Sequence, residues 1–311
     1  MRNSRPKSSR VVLDYAGRVN RAIDFILQHL DEPLRLEVVA RAAGFSPFHF
    51  HRIFRLMAGE SVSEFVKRVR LERAVGLLSR RGWGKRRRSL TEIALACGFG
   101  SSADFSRCFR QQFGVAPSGF DAADYRDRGR AKWDEARGDS ASRPRLTSPK
   151  PGANPDGFVV RVRRLPPRCV AYVRVLKSAA GGGVAGAVAR LTQWAEARGL
   201  ADGQWLGYMW DDPEVVPWAK CRYDVGLEVP ALKPEGAIGR IAFPAMQVAE
   251  LKVSGGIDLE LRALDWLFGT WLPASGWLPT DQPCFEAWDG RPFAHGTEHF
   301  ELRLQVPVER D

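Results

Sequence analysis

The sequence has no apolar run near the roughly 20 residues that a membrane-spanning helix needs, so an integral membrane protein is not expected. The basic first ten residues are not followed by an apolar stretch and a cleavage site, which argues against a secretory signal. Cysteine is scarce, at five in 311 residues, and no two cysteines form a C-x-x-C pair. A disulfide scaffold and a thiolate zinc site are therefore both disfavoured, and a reducing cytoplasm is the expected compartment.

Positive charge is abundant but unevenly distributed. Residues 1–150 contain 30 Lys and Arg against 16 Asp and Glu, whereas residues 151–311 contain 17 against 20. A basic half joined to a slightly acidic half indicates one domain that binds a polyanion and one with a different task. The balance favours nucleic acid over a membrane surface as that polyanion.

Composition also predicts where the two parts meet. Residues 126–157 are rich in Pro, Gly, Ser and charge and have no sustained apolar period, which predicts a linker. Residues 12–125 have helical periodicity, and residues 1–11 are predicted to be a disordered basic segment. After the linker, residues 158–311 alternate apolar and polar residues in segments typical of strands mixed with a few helices.

An internal repeat dominates the first half. LEVVARAAGF at Leu36–Phe45 aligns with LTEIALACGF at Leu90–Phe99, and HRIFRLMAG at His51–Gly59 aligns with SRCFRQQFG at Ser106–Gly114 after a one-residue insertion. Each copy predicts a short helix, a turn at a glycine and a second helix that starts after a serine. This is a helix–turn–helix arrangement, whose second helix can enter the major groove of DNA.

The tandem pattern resembles the AraC/XylS family of transcription regulators over about residues 12–125. The most specific part of the resemblance is GFGSSADFSRCFRQQFGVAPSGF at Gly98–Phe120. In that family a long helix joins two such units, which place their recognition helices in successive major grooves. The joining helix is predicted here from a cap at Ser61 and Glu64 to about Ser79.

Each recognition helix carries an apolar stripe that is expected to face the core. The stripes are Phe50, Ile53 and Phe54 in the first unit and Phe105, Cys108 and Phe109 in the second. The outward positions are the candidates for DNA contact, and the resemblance matches most of them to base-facing positions. These candidates are Phe48, His51, Arg52, Arg55, Ser102, Ala103, Ser106, Arg107 and Arg110. Arginine can make two hydrogen bonds to guanine, and the alternative for Arg52 and Arg107 is an ion pair within the bundle.

A run of basic residues lies between the two units and contains Lys85, Arg86 and Arg87. These charges predict contacts to DNA phosphates, which position a protein without reading sequence. A solvated loop is the alternative interpretation.

The second half predicts two βαββ repeats. Strands are expected near 158–175, 204–211 and 222–229 around a helix at Val184–Arg198, and near 238–253, 284–288 and 299–306 around a helix at Leu259–Phe268. The predicted fold class is therefore multidomain, with an all-α tandem helix-turn-helix domain followed by an α+β domain of two βαββ repeats.

Three fragments of this half resemble the gyrase-inhibitor-like effector-binding domain, over about residues 158–308. They are GYMWDDPEVVPWAKCRYDVGLEVP at Gly207–Pro230, WLPASGW at Trp271–Trp277 and PCFEAW at Pro283–Trp288. The resemblance implies a pocket lined by aromatic residues and enclosed by the two repeats. The order of the two domains is that of the Rob-type regulators.

Residues for an effector site are suggested by the same half, which contains eight of the ten tryptophans. Glu286 is the first candidate because a carboxylate beside aromatic rings attracts an organic cation, and strand alternation puts Trp288 on its face. Trp210, Tyr223 and Trp288 are the candidates for aromatic walls. Each of these rings could instead belong to the core, and Glu286 could be an exposed strand residue.

Other polar motifs predict no metal and no cofactor. Asp211 and Asp212 precede a proline and are expected to make structural hydrogen bonds in a turn. The glycines at 181, 183 and 186 have dinucleotide-motif spacing but lack the acid and the parallel βαβ units that go with it. His295 and His299 have zinc-protease spacing but precede a predicted strand instead of lying on a helix.

Together these patterns predict a cytoplasmic transcription regulator that binds a double-stranded DNA operator. Its C-terminal pocket is expected to take a small cationic or aromatic effector, with RNA polymerase as a further partner and no membrane association. One alternative is a small-molecule hydrolase in which Glu286 acts as the base. Another is a module that binds a topoisomerase.

Overall fold

The computed structural model describes residues 7–81, 88–136, 152–176, 183–217, 220–231 and 236–310. The chain divides into two compact units. The first contains helices α1 to α6, and the second contains most of helix α7 and the sheet strands β1 to β4 and β6 to β9. Within the described ranges, no helix is long and apolar enough to cross a membrane.

The helices of the first unit follow the predicted repeat. They are α1 Lys7–Gln28, α2 Leu36–Ala42, α3 Pro47–Ala58, α4 Val62–Ser79, α5 Leu90–Ala96 and α6 Ser102–Phe113. A short 3₁₀ turn at Pro117–Gly119 leads to α7 at Ala122–Ala136. The pairs α2–α3 and α5–α6 are the two helix–turn–helix copies, and α4 is the long helix between them.

Two predicted boundaries differ from the structure. Helix α1 begins at Lys7, inside the segment 1–11 that was predicted to be disordered, because extending an existing helix avoids the cost of nucleation. Helix α7 continues to Ala136 and so occupies the first part of the predicted linker 126–157. Its charges stabilise it in a way that apolar periodicity does not detect, as in the 2.8 Å ion pair between Arg128 and Asp124 one turn apart.

The ends of the short helices are set by local backbone chemistry. Gly44 and Gly98 follow α2 and α5 with φ values of 70° and 79°, a left-handed conformation that glycine adopts without steric cost. Ser89 and Glu92 form a reciprocal capping box at the start of α5. The Ser101 hydroxyl caps α6. The turn geometry of each copy is thus determined by a few residues.

The same aromatic pair forms the core of each copy. Phe50 and Phe54 are fully buried with ring centroids 5.4 Å apart, and Phe105 and Phe109 repeat both the burial and the 5.4 Å spacing. This arrangement leaves the opposite side of α3 and of α6 for solvent or DNA.

The sheet part of the chain, which lies in the second unit except for Gly239–Ile241 of β5, contains the two predicted βαββ repeats. Its elements are β1 Val160–Leu165, β2 Arg168–Leu176, α8 Gly183–Glu196, β3 Trp205–Met209 and β4 Arg222–Glu228, then β5 Gly239–Phe243, β6 Met246–Gly255, α9 Ile257–Trp266, α10 Leu272–Ser275, β7 Trp277–Pro279, β8 Cys284–Trp288 and β9 Phe300–Arg310. A π-helical turn at Leu267–Trp271 joins α9 to α10. Prolines at 166, 167 and 244 lie where each long predicted strand is divided into two, as expected for a residue without a backbone donor.

The strands of the two repeats interleave in one sheet of order β1-β6-β9-β8-β3-β4-β2-β5, with β7 paired to β9. At its centre, Glu286 of β8 lies opposite Gly207 of β3 and Leu304 of β9. Gly207 in turn lies opposite Val225 of β4. Because side chains alternate along strands, these residues share one face, called here the Glu286 face. The opposite face carries Asp224 and is called the Asp224 face.

Candidate DNA-reading helices and candidate ligand site

The first recognition helix, α3, presents its predicted DNA residues to solvent. Phe48 is 74% exposed, and His51, Arg52 and Arg55 are also exposed. Neither the Arg52 nor the Arg55 side chain makes a hydrogen bond or an ion pair with any residue that the structure describes. The alternative of an ion pair within the bundle is therefore not realised for Arg52. Its guanidinium is available to an external partner.

The second recognition helix, α6, differs in its charged residues. Ser102, Ala103, Arg107 and Arg110 are exposed and Ser106 is half-buried. The Arg107 guanidinium, however, lies 2.6 Å from the Asp104 carboxylate on the same helix. The alternative of an internal ion pair is thus realised for Arg107. The predicted phosphate-binding residues Lys85, Arg86 and Arg87 lie outside the described residues.

The candidate ligand site is built around Glu286 on β8. The Tyr223 hydroxyl donates a hydrogen bond to Glu286 Oε2, reaching from β4 across the intervening strand β3. This reach is possible because residue 207 of β3 is glycine: a Cβ there would overlap the Tyr223 hydroxyl and lie 2.5 Å from Glu286 Oε2. Gly207 was not among the predicted site residues. A glycine inside a strand is the signal that could have identified it.

Trp288 completes one wall of this site. It lies two residues after Glu286 on the same face of β8, as strand alternation predicts. Its indole packs edge-on against the rings of Phe293 and Phe300, with centroids 5.4 Å away in both cases. Glu286 and Tyr223 are half-buried, so the carboxylate keeps access to solvent although it sits among aromatic rings.

Burial governs the protonation of this site. It raises the pKa of Glu286 to about 7, and the Tyr223 hydroxyl and the Trp288 indole offset only part of that shift by hydrogen bonding to the carboxylate. Burial, reinforced by the charge of Glu286, also raises the pKa of the Tyr223 phenol and of the Cys284 thiol. Near neutral pH Glu286 is therefore divided between its two forms, whereas the thiol and the phenol stay protonated.

A second carboxylate, Glu260 of α9, lies near this site. It occupies the inward side of the helix with Ala263 and Trp266, and only 5% of its surface is exposed. Burial raises its pKa well above the ordinary value, and the charge of Glu286 raises it further. Glu260 was not predicted as a site residue. The signal for it is a glutamate at helical spacing with two buried apolar residues.

The structure does not bring Trp210 to this site, in contrast to its prediction as a pocket wall. Its indole nitrogen donates a 2.9 Å hydrogen bond to Asp224, and its ring packs against Tyr208 and Phe243. These partners lie on the Asp224 face. Trp210 lies three positions after Gly207, and because side chains alternate along a strand, an odd separation places Trp210 on the opposite face of the sheet from Gly207.

The acidic residues after β3 have structural roles, as predicted. Asp211 accepts hydrogen bonds of 2.7 Å from both the backbone N–H and the Nε of Arg222. Among the described residues there is no group of three or more His, Cys, Asp and Glu side chains that could hold a metal ion. His295 and His299 lie in the loop before β9 and not on a helix.

Helix α7 pairs with the loop after β3 and with α9. Arg126 lies 2.6 Å from Asp212, and Arg130 lies 2.8 Å from Asp265 of α9. Arg130 also pairs with Glu214. A Cβ on Gly129 would overlap the Glu214 carbonyl, so this glycine permits the close approach of α7 to the loop after β3. The helix is thus attached both to that loop and to the helix that carries Glu260.

Known proteins resemble both parts of the chain. Residues 39–123 match a helix-turn-helix domain family, and residues 158–309 match the family of GyrI-like small molecule binding domains. Over 106 residues the chain is 34% identical to the regulatory protein SoxS of Salmonella typhimurium, a stretch that covers 34% of this chain and 90% of SoxS. Over 106 residues it is 31% identical to the right origin-binding protein of Escherichia coli, covering 34% of this chain and 35% of that protein.

A solved structure also matches the first part of the chain. It is the DNA-binding domain of AdpA, a global transcriptional factor, in complex with a target DNA. The identity is 30% and the TM-score 0.31, and the match covers 36% of this chain and 95% of that domain.

Proposed function

Because the chain belongs to the AraC/XylS family of DNA-binding transcription regulators and carries a GyrI-like small-molecule-binding domain, we propose that an organic cation bound at Glu286 controls its binding to an operator. The observation that carries the proposal is the Glu286 carboxylate. It is half-buried beside Trp288 and Tyr223 and yet open to solvent. A cation at this position gains from the weak screening by water and from the aromatic faces.

We assign recognition of the operator's base sequence chiefly to α3. The exposed guanidinium of Arg52, which pairs with none of the described residues, supports a bidentate contact to guanine. Exposed Phe48 supports an apolar contact to a thymine methyl group. Arg55 and Arg110, together with Lys85, Arg86 and Arg87, are assigned to phosphates or flanking bases. RNA polymerase is the protein partner proposed for a regulator of transcription.

The hydrolase alternative receives no support from the comparisons. The relatives that match the first part of the chain are described as a regulatory protein and as an origin-binding protein. Glu286 is accordingly assigned to ligand recognition and not to general-base catalysis.

Helix α7 supplies a route from ligand to DNA. It follows the second helix–turn–helix copy directly in sequence, and its arginines pair with the loop after β3 and with α9. A ligand that binds more tightly to one arrangement of α9 than to another shifts the populations of both arrangements. We assign to α7 the transfer of that shift toward α6.

The test of the ligand site compares a quaternary ammonium compound with its neutral carbon isostere, using tryptophan fluorescence. Glu286→Gln keeps the shape of the side chain and removes its charge. Binding of the cation should weaken by about 1–3 kcal/mol, typical of a hydrogen bond or contact to a charged group, while the neutral compound loses much less. The exposed Glu309→Gln is the matched control and should change neither affinity. Equal losses for both compounds would remove Glu286 from charge recognition.

The test of the DNA assignment selects bound fragments from a random DNA pool and then varies the salt concentration. Affinity should fall by about 0.9 log unit per log unit of salt for each phosphate neutralised. Binding that does not change between dilute and physiological salt would contradict the assignment of basic residues to phosphates.

A further inference from the structure

Glu260 is a buried acid without a protein partner. Only 5% of Glu260 is exposed to solvent. Its carboxyl group makes no hydrogen bond or ion pair with any side chain in the described ranges. Helix α9 contacts strand β6 of the sheet, and Glu260 lies on the inward side of that helix with Ala263 and Trp266. The buried residues Leu251 and Val253 of β6 lie on the Glu286 face, since Leu251 pairs with Leu304 of β9 and Leu304 pairs with Glu286, so α9 covers that face of the sheet. The charges of Glu260 and Glu286 interact across it.

An unpartnered buried carboxyl group costs several kcal/mol relative to one that is solvated or paired, so its position needs a compensating interaction. The protein does not supply that interaction from Tyr223, because the phenol already donates its proton to Glu286. The Cys284 thiol is a weak donor. No described side chain donates to Glu260, so its donor is water or a bound ligand, and an ammonium group is the stronger donor of the two.

We infer that Glu260 and Glu286 form a two-carboxylate site that binds an organic dication, with one ammonium group at each carboxylate and the apolar part of the ligand against Trp288. This inference rests on the proposed function of Glu286 as a cation-binding residue and adds a second contact that selects the ligand class. A monocation can satisfy only one carboxylate, and the other then stays protonated.

An organic dication fits the site better than a divalent metal ion. Hard cations such as Ca²⁺ and Mg²⁺ take six or more oxygen ligands, and the described residues offer two carboxylates and a phenol whose pKa is raised. The indole of Trp288 and the ring of Tyr223 instead provide faces that attract ammonium groups. Competition by metal ions is nevertheless a measurable outcome.

Binding of a dication should also release protons. Two carboxylates that face each other in a buried site do not both ionise when the site is empty, since each charge disfavours the other. Two ammonium groups make both charges favourable, so the proton held by the empty pair is lost on binding. A monocation needs only the ionisation of Glu286 and should release fewer protons.

The experiment uses the full-length protein and matched ligand pairs. The ortho, meta and para isomers of xylylenediamine provide three spacings between ammonium groups, and each is paired with the aminomethylbenzyl alcohol of the same geometry. Affinity and proton release are measured by titration calorimetry at pH 7 in two buffers of different ionisation enthalpy. The variants are Glu260→Gln and Glu286→Gln, and thermal unfolding establishes that each is folded.

In the expected result, at least one diamine binds the wild-type protein more tightly than its amino alcohol. Glu260→Gln should weaken that diamine by about ten- to a hundredfold, remove the extra proton release and change the amino alcohol by less than about threefold. Glu286→Gln should weaken both ligands. If Glu260→Gln fails to fold, Glu260→Met serves in its place, since it keeps the length of the side chain without a charge.

Three outcomes would overturn the inference, and they differ from failure of the proposed function. Equal losses of diamine and amino alcohol in Glu260→Gln, or no loss of either, would mean that Glu260 makes no ligand contact. Displacement of the diamine by stoichiometric Mg²⁺, Ca²⁺ or Zn²⁺ would identify a metal site. If instead no cation binds the wild-type protein, or Glu286→Gln binds all cations normally, the proposed function itself fails.

Discussion

On helix α3 the guanidinium groups of Arg52 and Arg55 project into solvent without an ion pair to any described residue, whereas in the sheet Arg174 and Asp224 are completely buried against each other at 2.6 Å. Both regions contain arginines on regular elements with an apolar opposite face. The difference lies in what surrounds each charge. Water solvates an exposed charge, so it can stay unpaired within the protein. A buried charge needs an opposite charge beside it to offset the cost of losing its hydration.

The candidate ligand site combines features of both regions. Like the sheet charges, Glu260 is buried, and Glu286 is half-buried; like the charges of α3, both lack a cationic partner among the described residues. Burial without neutralisation raises the pKa of both groups. This state is costly in a structural core, which is why we propose that a ligand neutralises these groups.

The largest effect is expected from breaking the buried pair. Arg174→Met leaves Asp224 without its charge partner and should lower the free energy of unfolding of the sheet unit by about 3–5 kcal/mol, measured by urea unfolding with tryptophan fluorescence. Arg107→Met breaks the exposed pair with Asp104 and should leave the free energy of unfolding nearly unchanged, because water and salt screen that pair. Similar losses from the two variants would mean that burial does not distinguish these pairs.

A smaller effect is expected on DNA binding by the exposed arginines. Arg52→Ala should weaken operator binding by about 1–3 kcal/mol and relax the preference at one base pair, because its exposed guanidinium pairs with none of the described residues and can contact a base. Arg107→Ala should weaken binding by less, since Asp104 already holds that guanidinium. Competition assays on operator and random DNA measure both. Parallel losses on the two DNAs would assign Arg52 to phosphates.

The stability of the sheet unit should depend on pH through Glu286. Its pKa is raised from the ordinary 4.5 to about 7 in the folded protein, so the folded state holds a proton that the unfolded state has lost between these values. The resulting stabilisation is complete below about pH 4.5 and is lost as the pH rises through 7. The free energy of unfolding should therefore differ between pH 5 and pH 8 by about 2–3 kcal/mol more in the wild-type protein than in Glu286→Gln. An identical pH dependence would show that Glu286 titrates normally.

The smallest effect is expected when the exposed Arg107 guanidinium loses its partner Asp104 and becomes available to DNA. Asp104→Asn removes the partner of Arg107 and a negative charge from α6, and should strengthen operator binding by about 0.5 kcal/mol without changing protein stability. In an Arg107→Ala background the same change should have less effect, since no guanidinium is left to release. A full effect in that background would indicate general repulsion between Asp104 and phosphate.

Most of the helical half could be predicted, because the signals that determine its helices and turns are local in sequence. Caps at Ser89 and Glu92, the left-handed glycines Gly44 and Gly98, and the aromatic stripes at helical spacing all act over fewer than eight residues. The exposure of Arg52 followed from the stripe on its own helix. The pairing of Arg107 with Asp104, one turn away, was foreseen only as an alternative, because side-chain geometry chooses between solvent and a neighbour.

The ligand site was only partly predictable. Glu286, Tyr223 and Trp288 were placed by motif and alternation, but Trp210 was grouped with them although its hydrogen bond to Asp224 holds it on the other face. The role of Gly207 under the Tyr223 hydroxyl depends on the pairing of β3 with both β4 and β8, and Glu286 on β8 is 79 positions from Gly207 in sequence.

The sequence by itself determined the tandem helix–turn–helix pattern, the two βαββ repeats and the division of charge between the halves, because propensity, capping and periodicity are local properties. Only the tertiary structure decided which carboxylates are buried together. Glu260 and Glu286 come from a helix and a strand of the same repeat, and Tyr223 comes from the other repeat. Their shared desolvation arises from the packing of α9 and the interleaved strands, and no separation along the chain encodes it.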